Sequence, residues 1–353
     1  MIAGGGTGGH VFPAIAVARE WMSGGAEREV VFVGTQRGLE ARLVPEAGFA
    51  LETIRSAGLK GIGGVRLARN VAKLAPAMWD SFSILRRHRF CAALGVGGYA
   101  AGPIMLAAVM RRLPTIIFEP NAEPGFTNRV LAGIVMRIAT AYDAPTKRWG
   151  GKAVLTGIPV RAEFFLISPR VPSAPFQLLI TGGSQGASLI NRTLVGAADL
   201  LAAQKNRISI VHQTGERDYN DVRSAYARRE INADVVPFIG NMADRFAKAD
   251  LIVCRAGAIT TAEVAAAGRA AIFIPFGAAT DSHQLRNAQE MRRAGASRLI
   301  PEAALTSKRL ADEIFSLFDQ PLELQAMAAK SRALAKPHAA RDIVGLIEKV
   351  ALH

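Results

Sequence analysis

The sequence is short of several residue types, and each shortage narrows the classes of protein that it encodes. It contains only two cysteines in 353 residues, Cys91 and Cys254, and each lies in an apolar run. Two distant thiols suggest neither a disulfide framework nor a thiolate metal site, so we expect a reducing compartment. Aromatic residues make up 7% of the chain and follow no nucleic-acid recognition spacing. We therefore disfavour a nucleic-acid-binding module.

Acidic residues are also scarce, at 29 against 43 basic ones, which gives a formal net charge of +14. This excess predicts an anionic partner, such as a phosphorylated substrate or an anionic lipid surface. The first residues show no basic region followed by an apolar core, so we expect no signal peptide. Residues 91–110 carry no charge but are interrupted by glycines and Pro103. We interpret them as a strand, a glycine turn and a buried helix rather than a membrane span.

Short apolar runs alternate with stretches of helical period along the whole chain, which predicts doubly wound parallel sheets. The pattern G-G-[ST]-x-G occurs twice, at 5–9 and 182–186, each time between a predicted strand and a predicted helix. Two copies predict two domains of the same kind, with a proline-rich linker between them. We place the first domain at 1–161 and the second at 162–337. The amphipathic segment 338–353 can pack back on either domain and is grouped with the first.

A glycine loop between a strand and a helix lets backbone N–H groups approach a phosphate. Gly4-x-Gly6-x-x-Gly9 also fits the dinucleotide-binding fingerprint. That fingerprint includes an acidic residue at the end of the second strand, which binds a ribose hydroxyl. That strand ends Val33-Gly34-Thr35 without one, which disfavours a nicotinamide oxidoreductase. The loop also lacks the Lys-Ser/Thr of a nucleotide-hydrolysing P-loop. A tight turn that serves only packing is the alternative to phosphate binding.

Two motifs in the second half have a structural and a functional interpretation each. Thr260-x-x-Glu263 has the spacing of a helix capping box, yet the same helix start could face a diphosphate while Glu263 binds ribose hydroxyls. Asp281, Gln284 and Asn287 share a helical face that suits sugar hydroxyls or merely a solvated helix start.

Several motifs together resemble one family of bacterial glycosyltransferases. They are Gly4 to His10 followed by Pro13, Gly97-Gly98-Tyr99, Glu119-x-Asn121, Gly157-x-Pro159-Val160-Arg161, Gly182 to Ala187, and Arg255 to Ala258 through Glu263. In this order, from the first residues to beyond Asn287, they are similar to the MurG family. The chain departs from the commonest family pattern at Pro120 and His283, and His283 puts one sugar contact in doubt.

The resemblance implies the GT-B fold, which is α/β, with two Rossmann-like doubly wound parallel-sheet domains facing across a cleft. It implies inverting transfer of N-acetylglucosamine from UDP-GlcNAc to the C4 hydroxyl of lipid I, giving lipid II and UDP for peptidoglycan synthesis. The first domain would meet the acceptor and the membrane, and the second would bind UDP-GlcNAc. Helix N-termini and basic side chains would stabilise the departing diphosphate, so we expect no metal and no cofactor. Contacts with other cell-wall synthesis proteins are a further expectation.

The resemblance also assigns site residues by motif position. Ser184 would contact phosphate, Glu263 the ribose and Gln284 the GlcNAc, with the uracil meeting the backbone at Ile239. The full UDP-GlcNAc set is Thr7, Gly8, Gly9, Asn121, Arg161, Ser184, Ile239, Ala258, Ile259, Thr260, Thr261, Ala262, Glu263 and Gln284. The acceptor pyrophosphate would meet Gly5, Gly6, Gly8, Gly9, Gly97, Gly98 and Tyr99.

A single displacement needs a base for the attacking hydroxyl. His10 is the first candidate, because it follows the glycine loop at a helix start that favours the neutral imidazole. Its alternative role is to position the acceptor, in which case Glu119 is the alternative base.

The basic and apolar segment 65–90 is the predicted membrane contact. Basic residues there alternate with Leu74, Met78, Trp79, Phe82 and Leu85 at helical spacing, a stripe that also suits a protein core. We expect peripheral attachment to an anionic surface on the cytoplasmic face of the cell membrane. A UDP-GlcNAc 2-epimerase, which needs no lipid acceptor, is the competing enzyme, and the GGTGGH loop with this stripe argues against it.

Overall fold

The computed structural model describes residues 1–55, 74–183, 186–277 and 282–352. Contacts divide the chain into two units, Met1–Val160 with Lys336–His353, and Arg161–Ala335. Arg161, which the sequence analysis placed at the end of the first domain, is grouped with the second unit. The assignment of acceptor and donor to these halves stays a prediction.

The first unit contains a parallel sheet whose strands follow the order β3-β2-β1-β4-β5-β6-β7. The central strand β1 has only three residues and pairs with both β2 and β4. This order places the loops after β1 and β4 side by side at one sheet edge. The strands are β1 (Ile2–Gly4), β2 (Val31–Gly34), β3 (Ala50–Thr53), β4 (Ala93–Gly97), β5 (Thr115–Glu119), β6 (Arg137–Thr140) and β7 (Ala153–Leu155).

The helices of this unit connect its strands, and the last one returns from the end of the chain. The helix α16 packs on α1, and Arg28 forms an ion pair with Glu348 of α16 at 2.8 Å. Within the described ranges the helices are α1 (Gly8–Ser23), α2 (Glu40–Glu46), α3 (Leu74–Arg87), α4 (Ala101–Met110), α5 (Phe126–Leu131), α6 (Asp143–Trp149) and α16 (Ala339–Ala351), with a 3₁₀ turn at Gly150–Lys152.

The second unit repeats the same architecture, with a parallel sheet in the order β10-β9-β8-β11-β12-β13. Its strands are β8 (Phe176–Thr181), β9 (Ile208–Gln213), β10 (Ala233–Val236), β11 (Leu251–Cys254), β12 (Ala270–Phe273) and β13 (Ser297–Leu299). Its helices, over the residues described, are α7 (Ala162–Phe165), α8 (Ser188–Gly196), α9 (Ala198–Ala202), α10 (Tyr219–Ala227), α11 (Met242–Lys248), α12 (Ala258–Ala267), α13 (His283–Arg293), α14 (Ser307–Phe318) and α15 (Pro321–Ala333), with a 3₁₀ turn at Glu302–Ala304.

Burial on both faces explains why these strands could be predicted from apolar runs in the sequence. Every residue of β4, β5, β11 and β12 is buried, as expected for parallel strands covered by helices on both faces. The uncharged run 91–110 supplies β4 and α4, which confirms its interpretation as a strand, a turn and a buried helix. Among the described helices, none combines the length and the apolar character needed to cross a bilayer.

Candidate functional site

The first glycine loop joins β1 to α1 and lies directly against the loop that follows β4. A Cβ added to Gly98 would lie 2.2 Å from the carbonyl oxygen of Gly5, and one added to Gly4 would lie 2.5 Å from that of Gly97. Two backbones approach this closely only when both lack side chains. The structure therefore brings together the glycines that were predicted to hold the acceptor pyrophosphate. Tyr99 follows them and is exposed.

His10 lies where these two loops meet. It is the third residue of α1, and its Nδ1 is 3.2 Å from the hydroxyl oxygen of Thr7, the residue before the helix. A Cβ on Gly97 would lie 3.0 Å from His10 Nε2. The amides of Gly8 and Gly9 form the first turn of this sixteen-residue helix, where backbone N–H groups have no intrahelical acceptor. The arrangement sets a half-buried imidazole beside amides that can bind an anion.

Glu119 lies at the end of β5 in a different environment. Its side chain is 1% exposed, and Oε1 accepts hydrogen bonds from the Asn121 backbone at 3.0 Å and side chain at 3.2 Å. Oε2 accepts from the Gly125 amide and from Asn128 Nδ2, both at 2.9 Å. Burial raises the pKa of Glu119 against these hydrogen bonds. Both oxygens of Glu119 are thus occupied in holding the loop that contains Asn121, and which residue acts as the base stays a prediction.

Two polar residues of this unit were missed by the sequence analysis. Glu40 is buried beneath the first glycine loop, and its only sequence signal is that it is the first acid after β2. Asn128 is 3% exposed, and its Oδ1 is one of two buried side-chain atoms, among the residues described, that have no hydrogen-bond partner. Such an atom usually marks a bound water or ligand.

The second glycine loop follows β8 and packs just as closely. Ser184 lies outside the described residues, but a Cβ on Gly186 would lie 1.9 Å from the carbonyl oxygen of Thr214. Beneath the loop, the Thr181 hydroxyl donates to Gln213 Oε1 at 2.8 Å, and Gln213 Nε2 donates to the Gly183 carbonyl at 3.3 Å. Close packing therefore explains why Gly186 is a glycine, and the neutral side chains of Thr181 and Gln213 hold the loop at Gly183.

The proposed capping box at Thr260 is wrong. The helix α12 begins at Ala258 and is preceded by Gly257 in an extended conformation, without a side-chain cap. Thr260 is thus the third helical residue, because the chain turns into the helix three residues earlier than the spacing suggested. The start of α12 consequently exposes the amides of Ala258 and Ile259 as its first donors.

Glu263 lies in the second turn of α12, beside Arg161. Arg161 Nη2 is 3.3 Å from Glu263 Oε1, and Arg161 Nη1 is 3.0 Å from Glu163 Oε1. Burial raises the pKa of Glu263 to about 7, although the positive charge of Arg161 opposes the rise. Two residues that were assigned to the donor from distant parts of the sequence are therefore in contact, and the carboxylate titrates near neutrality.

Two further donor candidates, Ile239 and Gln284, occupy a loop and a helix start of the same unit. Ile239 is buried in the loop between β10 and α11, and its predicted backbone contact with the uracil stays a prediction. Gln284 Oε1 accepts from the Phe276 amide at 3.0 Å. Asn287 is fully buried and its Nδ2 donates to the Ala256 carbonyl at 3.3 Å, so the solvated-helix interpretation is wrong for it. Asp281 lies outside the described residues.

Comparison with known proteins matches both halves of the chain. Residues 1–140 match the glycosyltransferase family 28 N-terminal domain, and residues 177–343 match the family 28 C-terminal domain. A curated relative from Syntrophus aciditrophicus (strain SB), named UDP-N-acetylglucosamine--N-acetylmuramyl-(pentapeptide) pyrophosphoryl-undecaprenol N-acetylglucosamine transferase, is 43% identical over 98% of this chain and 96% of its own length.

Solved structures with a similar fold include a member of the MurG family. The crystal structure of Acinetobacter baumannii MurG is similar with a TM-score of 0.83 and 33% identity, over 99% of this chain and 98% of that one. The UDP-GlcNAc 2-epimerase from Neisseria meningitidis shares the fold alone, at a TM-score of 0.69 and 12% identity over 99% and 98% of the two chains. The chain therefore belongs to glycosyltransferase family 28 and, within it, to the MurG family.

Proposed function

We propose that this chain transfers N-acetylglucosamine from UDP-GlcNAc to the C4 hydroxyl of the N-acetylmuramyl residue of lipid I, giving lipid II and UDP with inversion at the anomeric carbon. The observation that carries this proposal is the identity of 43% to a curated transferase of that name over nearly the full length of both chains. The expected site residues other than Ser184 lie in the described parts of the two units, which supports it further.

The second unit is the proposed donor site. The amides at the start of α12, Ala258 to Thr260, would face the diphosphate, since a helix N-terminus favours negative charge. Glu263 would accept hydrogen bonds from the ribose hydroxyls, and Arg161 would favour the ionised form of that carboxyl against the burial that raises its pKa to about 7. Gln284 would bind the GlcNAc, and the backbone at Ile239 the uracil.

The first unit is the proposed acceptor site. The amides of Gly8 and Gly9, in the first turn of α1, would donate hydrogen bonds to the acceptor pyrophosphate. His10 would remove the proton from the attacking hydroxyl while UDP leaves. This pairing of base and leaving-group stabilisation is what a single displacement requires.

We also propose peripheral attachment to an anionic membrane surface on the cytoplasmic face, through the segment 65–90 as far as it is described, residues 74–90. Met78, Phe82 and Leu85 pack in or against the core of the first unit, so the core interpretation holds for them. Trp79, however, is 68% exposed on α3. The neighbouring α4 ends with exposed Met110, followed by two exposed arginines.

The transfer assay tests the central proposal. Labelled UDP-GlcNAc is incubated with a lipid I analogue, and the products are examined for a lipid-linked disaccharide. We expect that product and free UDP in equal amounts. Release of UDP without disaccharide, or formation of a C2 epimer of the sugar, would contradict the proposal.

Membrane attachment is tested separately on vesicles that contain anionic lipid. Trp79→Ala combined with Arg86→Glu and Arg89→Glu should weaken vesicle binding about tenfold or more, because each basic residue near such a surface contributes about 1 kcal/mol. Arg87 is left in place, since it forms an ion pair with Glu52 at 2.9 Å. A control variant reverses the charge of two exposed arginines of the second unit, Arg223 on α10 and Arg228 directly after it. Equal binding of the two variants would contradict this attachment.

A further inference from the structure

Glu40 lies beneath the first glycine loop and is 1% exposed. Its Oε2 accepts a hydrogen bond from the Gly6 amide at 2.7 Å. Its Oε1 accepts from the amide of Thr35 at 2.9 Å and from the Thr35 hydroxyl at 2.8 Å. Hydrogen bonds to a carboxylate are short and strong, so this side chain fixes the loop firmly to the end of β2.

Glycines from three segments form the space that Glu40 fills. A Cβ would lie 2.2 Å from Glu40 Cδ if added to Gly5, and 2.5 Å from Glu40 Cγ if added to Gly34. One added to Gly38 would lie 2.0 Å from Glu40 Oε2. Real side chains do not tolerate such distances, so each segment admits the carboxylate only because it lacks one. The position is therefore built from the strand, the loop and the helix start together.

The carboxylate is charged at neutral pH. Burial opposes ionisation of Glu40, but the hydrogen bonds from Gly6 and Thr35 outweigh burial and hold the pKa of this carboxyl below its ordinary value. A negative charge beneath a loop does not attract a pyrophosphate. Its effect on an anionic acceptor must instead come through the backbone that it orients.

That backbone leads directly to His10. In a trans peptide the N–H and the C=O point in opposite directions, so a Gly6 amide aimed at Glu40 turns the Gly5 carbonyl away from it. The Gly5 carbonyl accordingly faces Gly98, where a Cβ would lie 2.2 Å from it. The next residue, Thr7, precedes α1 and its hydroxyl oxygen is 3.2 Å from His10 Nδ1.

We propose that Glu40 is a positioning residue for the transfer reaction: by holding the Gly6 amide it fixes the Gly5–Gly6 peptide and, through Thr7, the placement of His10. Glu40 does not touch the substrate. This inference rests on the proposed function, in which His10 acts on the acceptor.

The test compares Glu40→Gln and Glu40→Asp with Glu46→Gln, an exposed glutamate of the same helix. The glutamine keeps the size of the side chain but cannot accept from all three donors, and the aspartate keeps the charge but is too short to reach Gly6. We expect kcat/KM for a water-soluble lipid I analogue to fall about 10- to 100-fold in Glu40→Gln, as for a misplaced catalytic group. The KM for UDP-GlcNAc should stay within about twofold, because most of the donor candidates lie in the second unit and are untouched, and only Thr7, Gly8 and Gly9 belong to the loop that Glu40 holds. Glu40→Asp, which also loses the contact with the Gly6 amide, should fall by a similar factor, and Glu46→Gln should match the wild type.

A double variant separates positioning from general loosening of the fold. Because Glu40 acts through His10, adding Glu40→Gln to His10→Ala should cost much less than it does in the wild type. Fully additive losses, or equal increases in both KM values, would overturn the inference. If Glu40→Gln does not fold, Glu40→Asp takes its place in the same cycle.

The two proposals fail in different ways. A wild-type chain that forms no lipid-linked disaccharide contradicts the proposed function itself. An active wild type with Glu40→Gln as fast as Glu46→Gln contradicts only the role of Glu40.

Discussion

The two glycine loops share the pattern G-G-[ST]-x-G, but a charged side chain holds the first loop and neutral side chains hold the second. In the first, the charged carboxylate of Glu40 accepts from the Gly6 amide at 2.7 Å. In the second, the neutral amide of Gln213 donates to the Gly183 carbonyl at 3.3 Å and is itself held by Thr181. The first support takes up a backbone donor and adds negative charge. The second takes up both the carbonyl of Gly183 and its N–H, which donates to the Thr181 hydroxyl oxygen at 3.3 Å, and adds no charge.

This difference teaches that a shared loop pattern does not imply a shared ligand. A support without negative charge favours the donor diphosphate at the second loop, whereas at the first loop the acceptor pyrophosphate would depend on the amides of Gly8 and Gly9 at the start of α1. The first loop, rigid and charged beneath, suits the placement of a catalytic side chain. The contrast supports the proposed division of labour, with the donor on the second unit and the base on the first.

The largest effect should come from the first loop. We predict that His10→Ala lowers turnover about 10²-fold or more, because a general base is lost, while the affinity for UDP-GlcNAc changes little. Steady-state kinetics and calorimetric titration with UDP-GlcNAc measure the two quantities. His338→Ala, at an exposed histidine, is the control. Near-normal turnover in His10→Ala would remove it as the base.

The same steric rule should hold at the second glycine loop and where the first glycine loop meets the loop that follows β4. Gly98→Ala and Gly186→Ala place a methyl group against a backbone carbonyl, so we expect each to lower the free energy of unfolding by about 2–4 kcal/mol. Gly6→Ala and Gly183→Ala meet open space and should cost only about 1–2 kcal/mol, from the left-handed backbone. Urea unfolding measures the difference. Equal losses of stability in Gly98→Ala and Gly6→Ala, or in Gly186→Ala and Gly183→Ala, would show that close packing is not the reason for glycine at Gly98 or Gly186.

The pH dependence should separate the donor half from the acceptor half. The pKa of Glu263 is raised to about 7, so the ionised form that would accept from ribose hydroxyls is lost as the pH falls through 7. We predict that UDP-GlcNAc affinity falls by up to about tenfold per pH unit below that point. Titration of wild type and Glu263→Gln between pH 5.5 and 8.5 checks this. A pH slope retained in Glu263→Gln would assign the titration to another group.

The smallest effect should come from the neutral support of the second loop. Thr181→Val leaves Gln213 without one hydrogen bond, which costs about 1 kcal/mol. We therefore expect the Kd for UDP-GlcNAc to rise about threefold to tenfold, with the KM for the acceptor unchanged. Binding and kinetic measurements on the same preparation compare the two. A change in the acceptor KM alone would reverse the assignment of the loops.

Much of the fold was predictable because its strands are apolar on both faces. The run Leu251 to Cys254 forms β11 over the same four residues, and Leu178 to Thr181 forms the end of β8. The glycine loops follow these strands, so their place at the carboxyl edge of each sheet was also predictable. Pattern and composition are enough for such features, since they depend on neighbours in sequence.

The details of the site depended on contacts that sequence spacing does not show. Glu40 is 34 residues from Gly6, and no local pattern links them. Glu119 looked like an available base, yet four donors surround it only once β5 and α5 have packed. The capping-box spacing at Thr260 was misleading because the helix begins three residues earlier, with Gly257 as the residue that precedes it. Tertiary packing decided the roles of Glu40 and Glu119, and the local backbone conformation at Gly257 decided where the helix begins.

The return of α16 to α1 has a consequence for synthesis of the chain. The first unit consists of two segments, Met1–Val160 and Lys336–His353, and the second unit is one continuous segment between them. On the ribosome the second unit can therefore fold as soon as it emerges, whereas the first must wait for its partner helix until the whole second unit has been made. The half that begins translation is the half that is completed last.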